Sequence, residues 1–242
     1  MYVAGIDIGS STTKVVVLNE GNMLAAQITE TMPDSSETAE SIMAAALAGC
    51  RLGLKDLSCV VATGYGRVNV PFANRTITEI ACHAKGVHFV FPNAKTVLDM
   101  GGQDCKAIRV DANGNHTSFV MNDKCAAGTG RFLEVTARTL GVPLSELGPL
   151  SLQADAPAQI SSVCTVFARS EVVRYLRSGA SKANIAAGIC EATVARVVTL
   201  LKRVGIEQEF VISGGIGKNT GVVKRIEANL GIPAHIPPEP QI

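Results

Sequence analysis

Short β-branched segments and longer amphipathic segments alternate along the chain, a pattern typical of an α/β protein. Three strand-like segments, Val3–Ile8, Lys14–Leu18 and Met23–Thr29, predict a meander. Helical spacing of Ala, Ile, Met and Leu predicts a helix over Glu37–Leu52, with Ser35-Ser36 as its cap. The remaining predicted elements are, in chain order, a strand at Cys59–Thr63, a helix at Thr78–Phe89, strands at Thr96–Met100, Cys105–Val110 and Thr117–Met121, helices at Gly128–Leu140, Pro143–Leu147, Thr165–Arg177 and Lys182–Val204, a strand at Phe210–Ser213, a helix ending at Leu230, and a strand at Ala234–Ile236.

The pattern contains an internal repeat. The segments Ile6–Lys14 and Leu98–Lys106 share an Asp after an apolar residue, a Gly two positions later and a Lys seven positions later. An apolar strand and an Asn/Gly turn follow each segment. A repeat of this length predicts duplicated lobes rather than a solenoid. We therefore predict a first lobe at residues 1–94 and a second at 95–242, with the hinge near Pro92–Lys95.

Composition narrows the class of protein without naming it. The 242 residues carry 22 Lys and Arg against 21 Asp and Glu, which argues against a nucleic-acid-binding protein and a polybasic membrane module. No signal peptide precedes the first predicted strand, and no apolar run approaches the roughly 18 residues of a membrane span. The seven cysteines are odd in number and scattered, which predicts a cytoplasmic protein with reduced thiols.

Two glycine-bearing turns follow Asp7 and Asp99, and each lies between two predicted strands. Glycine allows backbone N–H groups to approach a phosphate, and four hydroxyls of the first turn lie beside that approach. Asp7 and Asp99 are predicted to hold Mg²⁺ through water, because Mg²⁺ keeps several waters and takes few protein carboxylates. Gln103 and Asp104, at the tip of the second turn, are the candidates to orient a hydrolytic water.

A third glycine-rich turn, Ser213–Gly217, follows a predicted buried strand and opens a helix, where close backbone approach suits an adenosine. It lacks the spacing of a dinucleotide fingerprint, and the chain has no Walker A sequence. Any one turn could be an ordinary tight turn, but the three in this order favour a nucleotide site. The predicted nucleotide-binding residues are Gly9, Ser10, Ser11, Thr12, Thr13 and Lys14 in the first turn, Gly101 and Gly102 in the second, and Gly214, Gly215, Lys218 and Asn219 in the third.

The three turns resemble the motifs of a known superfamily. Asp7–Lys14 and Asp99–Asp104 are similar to the two phosphate motifs, and Ser213–Gly215 to the adenosine motif, of the actin/sugar-kinase/Hsp70 superfamily. The resemblance implies an α/β fold of two ribonuclease-H-like lobes, with ATP in the cleft between them.

Two cysteines stand at predicted helix starts. Cys125 comes shortly before the helix predicted from Gly128, and Cys164 comes directly before the helix predicted from Thr165. The positive end of a helix dipole favours negative charge on sulfur, although a free cysteine is also a common packing residue. Two cysteines are too few for an iron–sulfur cluster, which usually takes four thiolates, whereas a two-fold dimer would supply four. The other five cysteines receive no ligand role, and Tyr65 is either a contact for a partner or part of a simple turn.

Three further segments resemble the activator ATPases of 2-hydroxyacyl-CoA dehydratases and the related ATPase subunits of benzoyl-CoA reductases. They are Thr63–Arg67, Asn122–Phe132 and Cys164–Glu171. The resemblance implies a homodimer bridged by one [4Fe–4S] cluster on Cys125 and Cys164. It also implies that the helix start at Gly128, Thr129 and Gly130 points at that cluster.

The family resemblance implies a function as well. ATP, with Mg²⁺, would be bound and hydrolysed to ADP, and the resulting movement of the lobes would change the surroundings of the cluster. A reduced ferredoxin or flavodoxin would supply an electron, and a separate dehydratase or reductase would receive it. In this family the chain continues after Pro240 into a C-terminal helix, and Gln241 aligns with a residue near the nucleotide. Without that helix we expect a looser first lobe and weaker ATP binding.

Two other functions are open at this point. A small-molecule kinase of the same superfamily would need a catalytic Asp in a substrate pocket, for which the chain has no spare segment. A non-catalytic, nucleotide-controlled switch protein would need no cluster.

Overall fold

The computed structural model describes all 242 residues and divides into two compact units, Met1–His83 with Gln241–Ile242, and Ala84–Pro240. Each unit contains one five-stranded sheet. The strands are β1 (Tyr2–Ile8), β2 (Thr12–Asn19), β3 (Asn22–Glu30), β4 (Leu57–Gly64), β5 (Arg75–Thr76), β6 (Thr96–Met100), β7 (Cys105–Val110), β8 (His116–Asn122), β9 (Phe210–Ser213) and β10 (Ala234–His235). The α-helices are α1 (Ser35–Gly49), α2 (Glu79–Val90), α3 (Gly130–Leu140), α4 (Leu144–Ser151), α5 (Thr165–Arg177), α6 (Lys182–Val204) and α7 (Thr220–Leu230).

The two sheets have the same central topology. The first has the order β3-β2-β1-β4-β5 and the second the order β10-β9-β6-β7-β8. In each, the strand that contains the Asp pairs antiparallel with the next strand and parallel with a later one. The antiparallel register sets Asp7 opposite Lys14 and Asp99 opposite Lys106. The repeated Asp and Lys are therefore cross-strand neighbours in both units.

Most predicted elements are confirmed, and several have the predicted bounds. These are the strands β6, β7 and β9 and the helices α5 and α6. The short β5 and three 3-10 turns, at residues 54–56, 67–69 and 215–218, have no counterpart in the prediction. The 3-10 turns are closed by local hydrogen bonds, such as the one from Asn69 N–H to the Gly66 carbonyl, whereas β5 depends on pairing with β4, and the adjacent Ile77 N–H donates to the Ala62 carbonyl.

Two predicted helix starts are wrong. The cap of α1 is Asp34, whose carboxylate accepts from the N–H groups of Ser36 and Glu37, rather than either serine. The third helix begins at Gly130 instead of Gly128, because Gly128 has a φ of +82°, which is incompatible with a right-handed helix.

The core of the second unit is built around α6. Thirteen of its residues are buried, and its most apolar 18-residue window has a mean hydropathy of 1.4. Its length and composition alone would allow it to cross a membrane, but 72% of that window is buried inside the protein. Its apolar character is therefore that of a core helix.

Candidate nucleotide and iron–sulfur sites

The first phosphate turn, within Asp7–Lys14, is closed by a backbone hydrogen bond. The N–H of Gly9 donates to the Thr12 carbonyl at 3.1 Å. A Cβ at Gly9 would lie 2.7 Å from that carbonyl oxygen, so only glycine fits. Ser10 is exposed, whereas Thr13 is fully buried with its hydroxyl 2.9 Å from that of Thr31. The Thr13 hydroxyl therefore has a structural partner within the first unit.

The second phosphate turn, Asp99–Asp104, has the same backbone hydrogen bond, and its charged side chains are more deeply buried. The N–H of Gly101 donates to the Asp104 carbonyl at 3.1 Å. Lys106 Nζ lies 2.8 Å from Asp104 Oδ1 and 3.4 Å from Asp99 Oδ2. Its side chain is 2% exposed, against 20% for Lys14 in the first unit. Gln103 is exposed at the tip of the turn, and Asp104 is buried beneath it.

A glycine with positive φ lies against the Asp in each unit. Gly64 has a φ of +89°, and its Cβ would lie 2.4 Å from Asp7 Oδ1. Gly214 has a φ of +80°, and its Cβ would lie 2.9 Å from Asp99 Oδ1 and 2.5 Å from the Met100 carbonyl oxygen. No side chain fits at either position. The segment Thr63–Arg67 is thus the first unit's counterpart of the adenosine turn.

The two Asp side chains have the chemistry expected of ligands to hydrated Mg²⁺. Asp7 Oδ2 accepts from Lys14 Nζ at 2.8 Å, while its Oδ1 is buried without a hydrogen-bond partner in the protein. A buried carboxylate oxygen is costly unless something binds it, so Asp7 Oδ1 fits a metal-bound water. Asp99 Oδ1 accepts from Ser213 Oγ at 3.2 Å.

The adenosine turn, Ser213–Gly217, is hydrogen-bonded to Pro240. The N–H of Gly214 donates to the Pro240 carbonyl at 2.6 Å, which brings the residue before Gln241 to this turn. Asn219 caps α7, and its side chain accepts from Val222 N–H at 3.0 Å. Lys218 Nζ pairs with Glu239 at 3.1 Å. Asn219 therefore shapes the turn.

The segments of Cys125 and Cys164 lie side by side. Cys125 Sγ is 3.9 Å from the Val163 carbonyl oxygen, and Cys164 is the N-cap residue of α5. The loop that carries Cys125 is held by Asn122, whose Nδ2 donates to the carbonyls of Cys125 and Ala127 at 2.8 and 3.2 Å. Neither cysteine is in a disulfide, and both are half-buried.

Cys125 and Cys164 offer two thiols to a ligand at this place. Thr165 Oγ1, adjacent to Cys164, is buried without a hydrogen-bond partner in the protein and could donate to a ligand there. No three His, Cys, Asp or Glu side chains are grouped as a metal site within one chain. Cys125 and Cys164 are half of the four thiolates that an iron–sulfur cluster usually takes.

The first turn of α3 is hydrogen-bonded to the second phosphate turn. The N–H groups of Gly130 and Arg131 donate to the carbonyls of Gly101 and Gly102 at 2.9 and 2.8 Å. A Cβ at Gly130 would lie 2.9 Å from the Gly101 oxygen. This turn of helix follows the Cys125 loop directly.

The predicted residues Gly128 and Thr129 have contacts of their own. A Cβ at Gly128 would contact the side chain of Arg196, and Thr129 Oγ1 donates to the Ala126 carbonyl.

Three residues that contribute to the two phosphate sites were absent from the prediction. Lys106 and Ser213 contact Asp99. Burial raises the pKa of Cys82, and the nearby charges of Asp7 and Glu79 add to the effect, so the start of α2 lies near Asp7. The repeat itself pointed to Lys106, because it matches Lys14. Ser213 is the first residue of the third glycine-rich turn, but its contact with Asp99 follows from strand pairing, and the position of Glu79 follows from helix placement.

The buried thiols predict loss of stability at alkaline pH. Burial raises the pKa of Cys105, and the nearby Asp99 charge adds to the effect. The folded protein keeps this proton above pH 8.5, the approximate point at which the unfolded chain loses it. The contribution of this thiol to the free energy of unfolding is therefore fully present below about pH 8.5. Above that pH it falls by about 1.4 kcal/mol per pH unit. Urea unfolding from pH 8 to 10 should show a steeper decline for the wild type than for Cys105→Ala, and equal slopes would contradict this assignment.

The duplicated units, each with a glycine turn and an Asp–Lys pair, define the class as an ATPase of actin-like fold. The chain belongs to the BadF/BadG/BcrA/BcrD ATPase family, whose sequence model matches residues 4–242. The predicted family and fold class are thereby confirmed.

The relatives are similar over nearly their full length. The activator of lactoyl-CoA dehydratase from Anaerotignum propionicum is 46% identical over 243 residues, covering 100% of this chain and 93% of that protein. The crystal structure of (R)-2-hydroxyglutaryl-CoA dehydratase component A from Acidaminococcus fermentans superposes with a TM-score of 0.94 at 41% identity, covering 98% of this chain and 92% of that one. The activator of 2-hydroxyisocaproyl-CoA dehydratase from Clostridium difficile, with bound ADPNP, gives 0.93 at 40% identity, covering 100% and 90%.

Proposed function

We propose that this chain is an ATP-driven activator that delivers a low-potential electron to a 2-hydroxyacyl-CoA dehydratase. The similar proteins are named as dehydratase activators, and one was solved with a bound ATP analogue. The closely related reaction of a benzoyl-CoA reductase-type system would use the same residues and differ in the partner protein. We expect the protein to act in the cytoplasm.

One observation carries the proposal: the pair of hydrogen bonds between α3 and the second phosphate turn. Because Gly130 and Arg131 donate to carbonyls of that turn, a change in the turn on nucleotide binding moves the start of α3 with it. The Cys125 loop ends where α3 begins, so the same displacement reaches the cysteine. ATP would thus act on the cysteine pair through backbone contacts within the second unit.

Cys125 and Cys164 would hold a [4Fe–4S] cluster jointly with the same residues of a second copy. When bound, the cluster stores one electron at low potential and releases it to the partner protein. The chain presents a suitable surface for the second copy, because Val163, Val166 and Phe167 are 67%, 67% and 62% exposed around Cys164. Exposed apolar side chains at this density are typical of an interface.

The nucleotide would be held by glycine turns. Asp7 and Asp99 would hold Mg²⁺ through water, and the N–H groups of the turns would bind the phosphates. Gln103, exposed at the tip of its turn, would orient the hydrolytic water. A ferredoxin or flavodoxin would act as the electron donor.

Anaerobic reconstitution of the full chain tests the function. We expect a brown homodimer with about four iron atoms, ATP hydrolysis without any added acceptor, and ATP-dependent activation of a dehydratase. A colourless monomer that transfers phosphate only to an added acceptor would instead indicate a kinase.

A further inference from the structure

The second phosphate turn differs from the first by one buried carboxylate. Both turns have the same hydrogen bond from a glycine N–H, at Gly9 and at Gly101. The repeat places Asp104 where the first turn has Thr12. The first unit therefore pairs one lysine with one carboxylate, and the second unit pairs one lysine with two.

The side chain of Asp104 lies beneath the second phosphate turn. Its Oδ1 lies 2.8 Å from Lys106 Nζ, and a Cβ at Gly101 would approach the same oxygen to 2.8 Å. The side chains of Lys106 and Asp104 are 2% and 7% exposed. Of the two residues predicted to orient water, only Gln103 presents its side chain to solvent.

Lys106 connects Asp104 to Asp99. Its Nζ lies 3.4 Å from Asp99 Oδ2, and Asp99 Oδ1 accepts from Ser213 Oγ. Buried charges are stable only when they are paired, so loss of the ammonium would leave two buried carboxylates without their shared partner. Lys106 thus allows Asp99 and Asp104 to be accommodated together under one turn.

We propose that Lys106 and Asp104 are positioning residues for nucleotide binding, which hold Asp99 and the backbone of the second phosphate turn in the shape that binds the nucleotide. The proposal rests on the assignment of this turn to ATP under the proposed function. Both side chains lie beneath the turn, so their effect falls on nucleotide binding. Orientation of the water is left to Gln103.

Four variants of the full chain test this proposal: Asp104→Asn, Lys106→Met, the double variant of these two, and Gln103→Ala as comparator. The measurements are the affinity for Mg²⁺–ADP by calorimetry, kcat and KM for phosphate release, and the midpoint of thermal unfolding. ADP affinity needs neither the cluster nor a partner protein. It therefore reports on Lys106 even if electron transfer to a dehydratase fails.

We expect Asp104→Asn to raise the ADP Kd and the KM for ATP about three- to tenfold, with kcat within about threefold of wild type. Lys106→Met should raise both constants at least about thirtyfold, and adding Asp104→Asn should recover about threefold or more, because one unpaired carboxylate is removed. Gln103→Ala should lower kcat while leaving the ADP Kd unchanged.

Two results would overturn the proposal. A loss of kcat in Asp104→Asn as large as that in Gln103→Ala, at unchanged KM, would make Asp104 a direct participant. Lower thermal midpoints with unchanged Kd and KM in every folded variant would leave the pair a purely structural role. If Lys106→Met does not fold, Asp104→Asn decides between these outcomes by the same split of KM against kcat.

Discussion

Replacing Cys125 with serine is expected to abolish the cluster and the homodimer together. Each copy would supply two of the four thiolates, so one substitution per chain removes half of the ligands. Iron should fall from about four atoms per dimer to fewer than about one per chain, with loss of the brown colour. Gel filtration should show a monomer, because only the apolar residues around Cys164 remain to join the copies.

Nucleotide binding should survive this substitution. Serine keeps the backbone of the loop, and the contacts between α3 and the second phosphate turn are made by backbone N–H groups. The ADP Kd should therefore stay within about threefold of wild type. Cys59→Ser is the matched control, since Cys59 is a half-buried free cysteine in β4 and receives no ligand role. A Cys125→Ser protein that keeps a full complement of iron would refute the ligand assignment.

Replacing Gly130 with alanine is expected to separate ATP binding from the response of the cysteine loop. Alanine in a helix ordinarily stabilises it by about 1 kcal/mol relative to glycine. Here its Cβ would lie 2.9 Å from the Gly101 oxygen and 3.2 Å from the Gly102 Cα. Both are backbone atoms that move only with the turn, so we expect a net destabilisation of about 1–3 kcal/mol.

The alkylation rate of Cys125 in the cluster-free protein measures this coupling. In the wild type, Mg²⁺–ADPNP should change the rate at least about threefold, and in Gly130→Ala this response should disappear. Gly86→Ala is the matched control, because Gly86 lies in α2 with nothing within 4 Å of the added Cβ. The proposed link would be wrong if Gly130→Ala kept the full response and became as stable as Gly86→Ala.

Much of the secondary structure could be predicted from short stretches of the sequence. The strands β6, β7 and β9 are rich in apolar and β-branched residues and are buried along almost their whole length, so they were predicted with their observed bounds. The cap of α1 could not be assigned this way, because Asp34, Ser35 and Ser36 are all good capping residues. The geometry of the chain at Asp34 decides among them.

The site prediction also rests on local signals. The turns, the Asp–Lys spacing and the two cysteines are recorded in residue types and intervals, and these indicated an ATPase with a shared cysteine site. The start of α3 was placed too early because the positive φ of Gly128 is associated with close packing against Arg196, which is distant in the chain. No local pattern contains that contact.

The sequence by itself determined the repeated Asp–Lys pattern, the three glycine turns and the membership of the family, because these are recorded in residue types and their intervals. Only the tertiary structure decided that Asp104 is buried on Lys106, that Ser213 contacts Asp99, and that α3 is hydrogen-bonded to the second phosphate turn. These contacts depend on strand register and on which backbone groups meet across the fold. Both are consequences of packing the whole second unit and cannot be read from neighbouring residues alone.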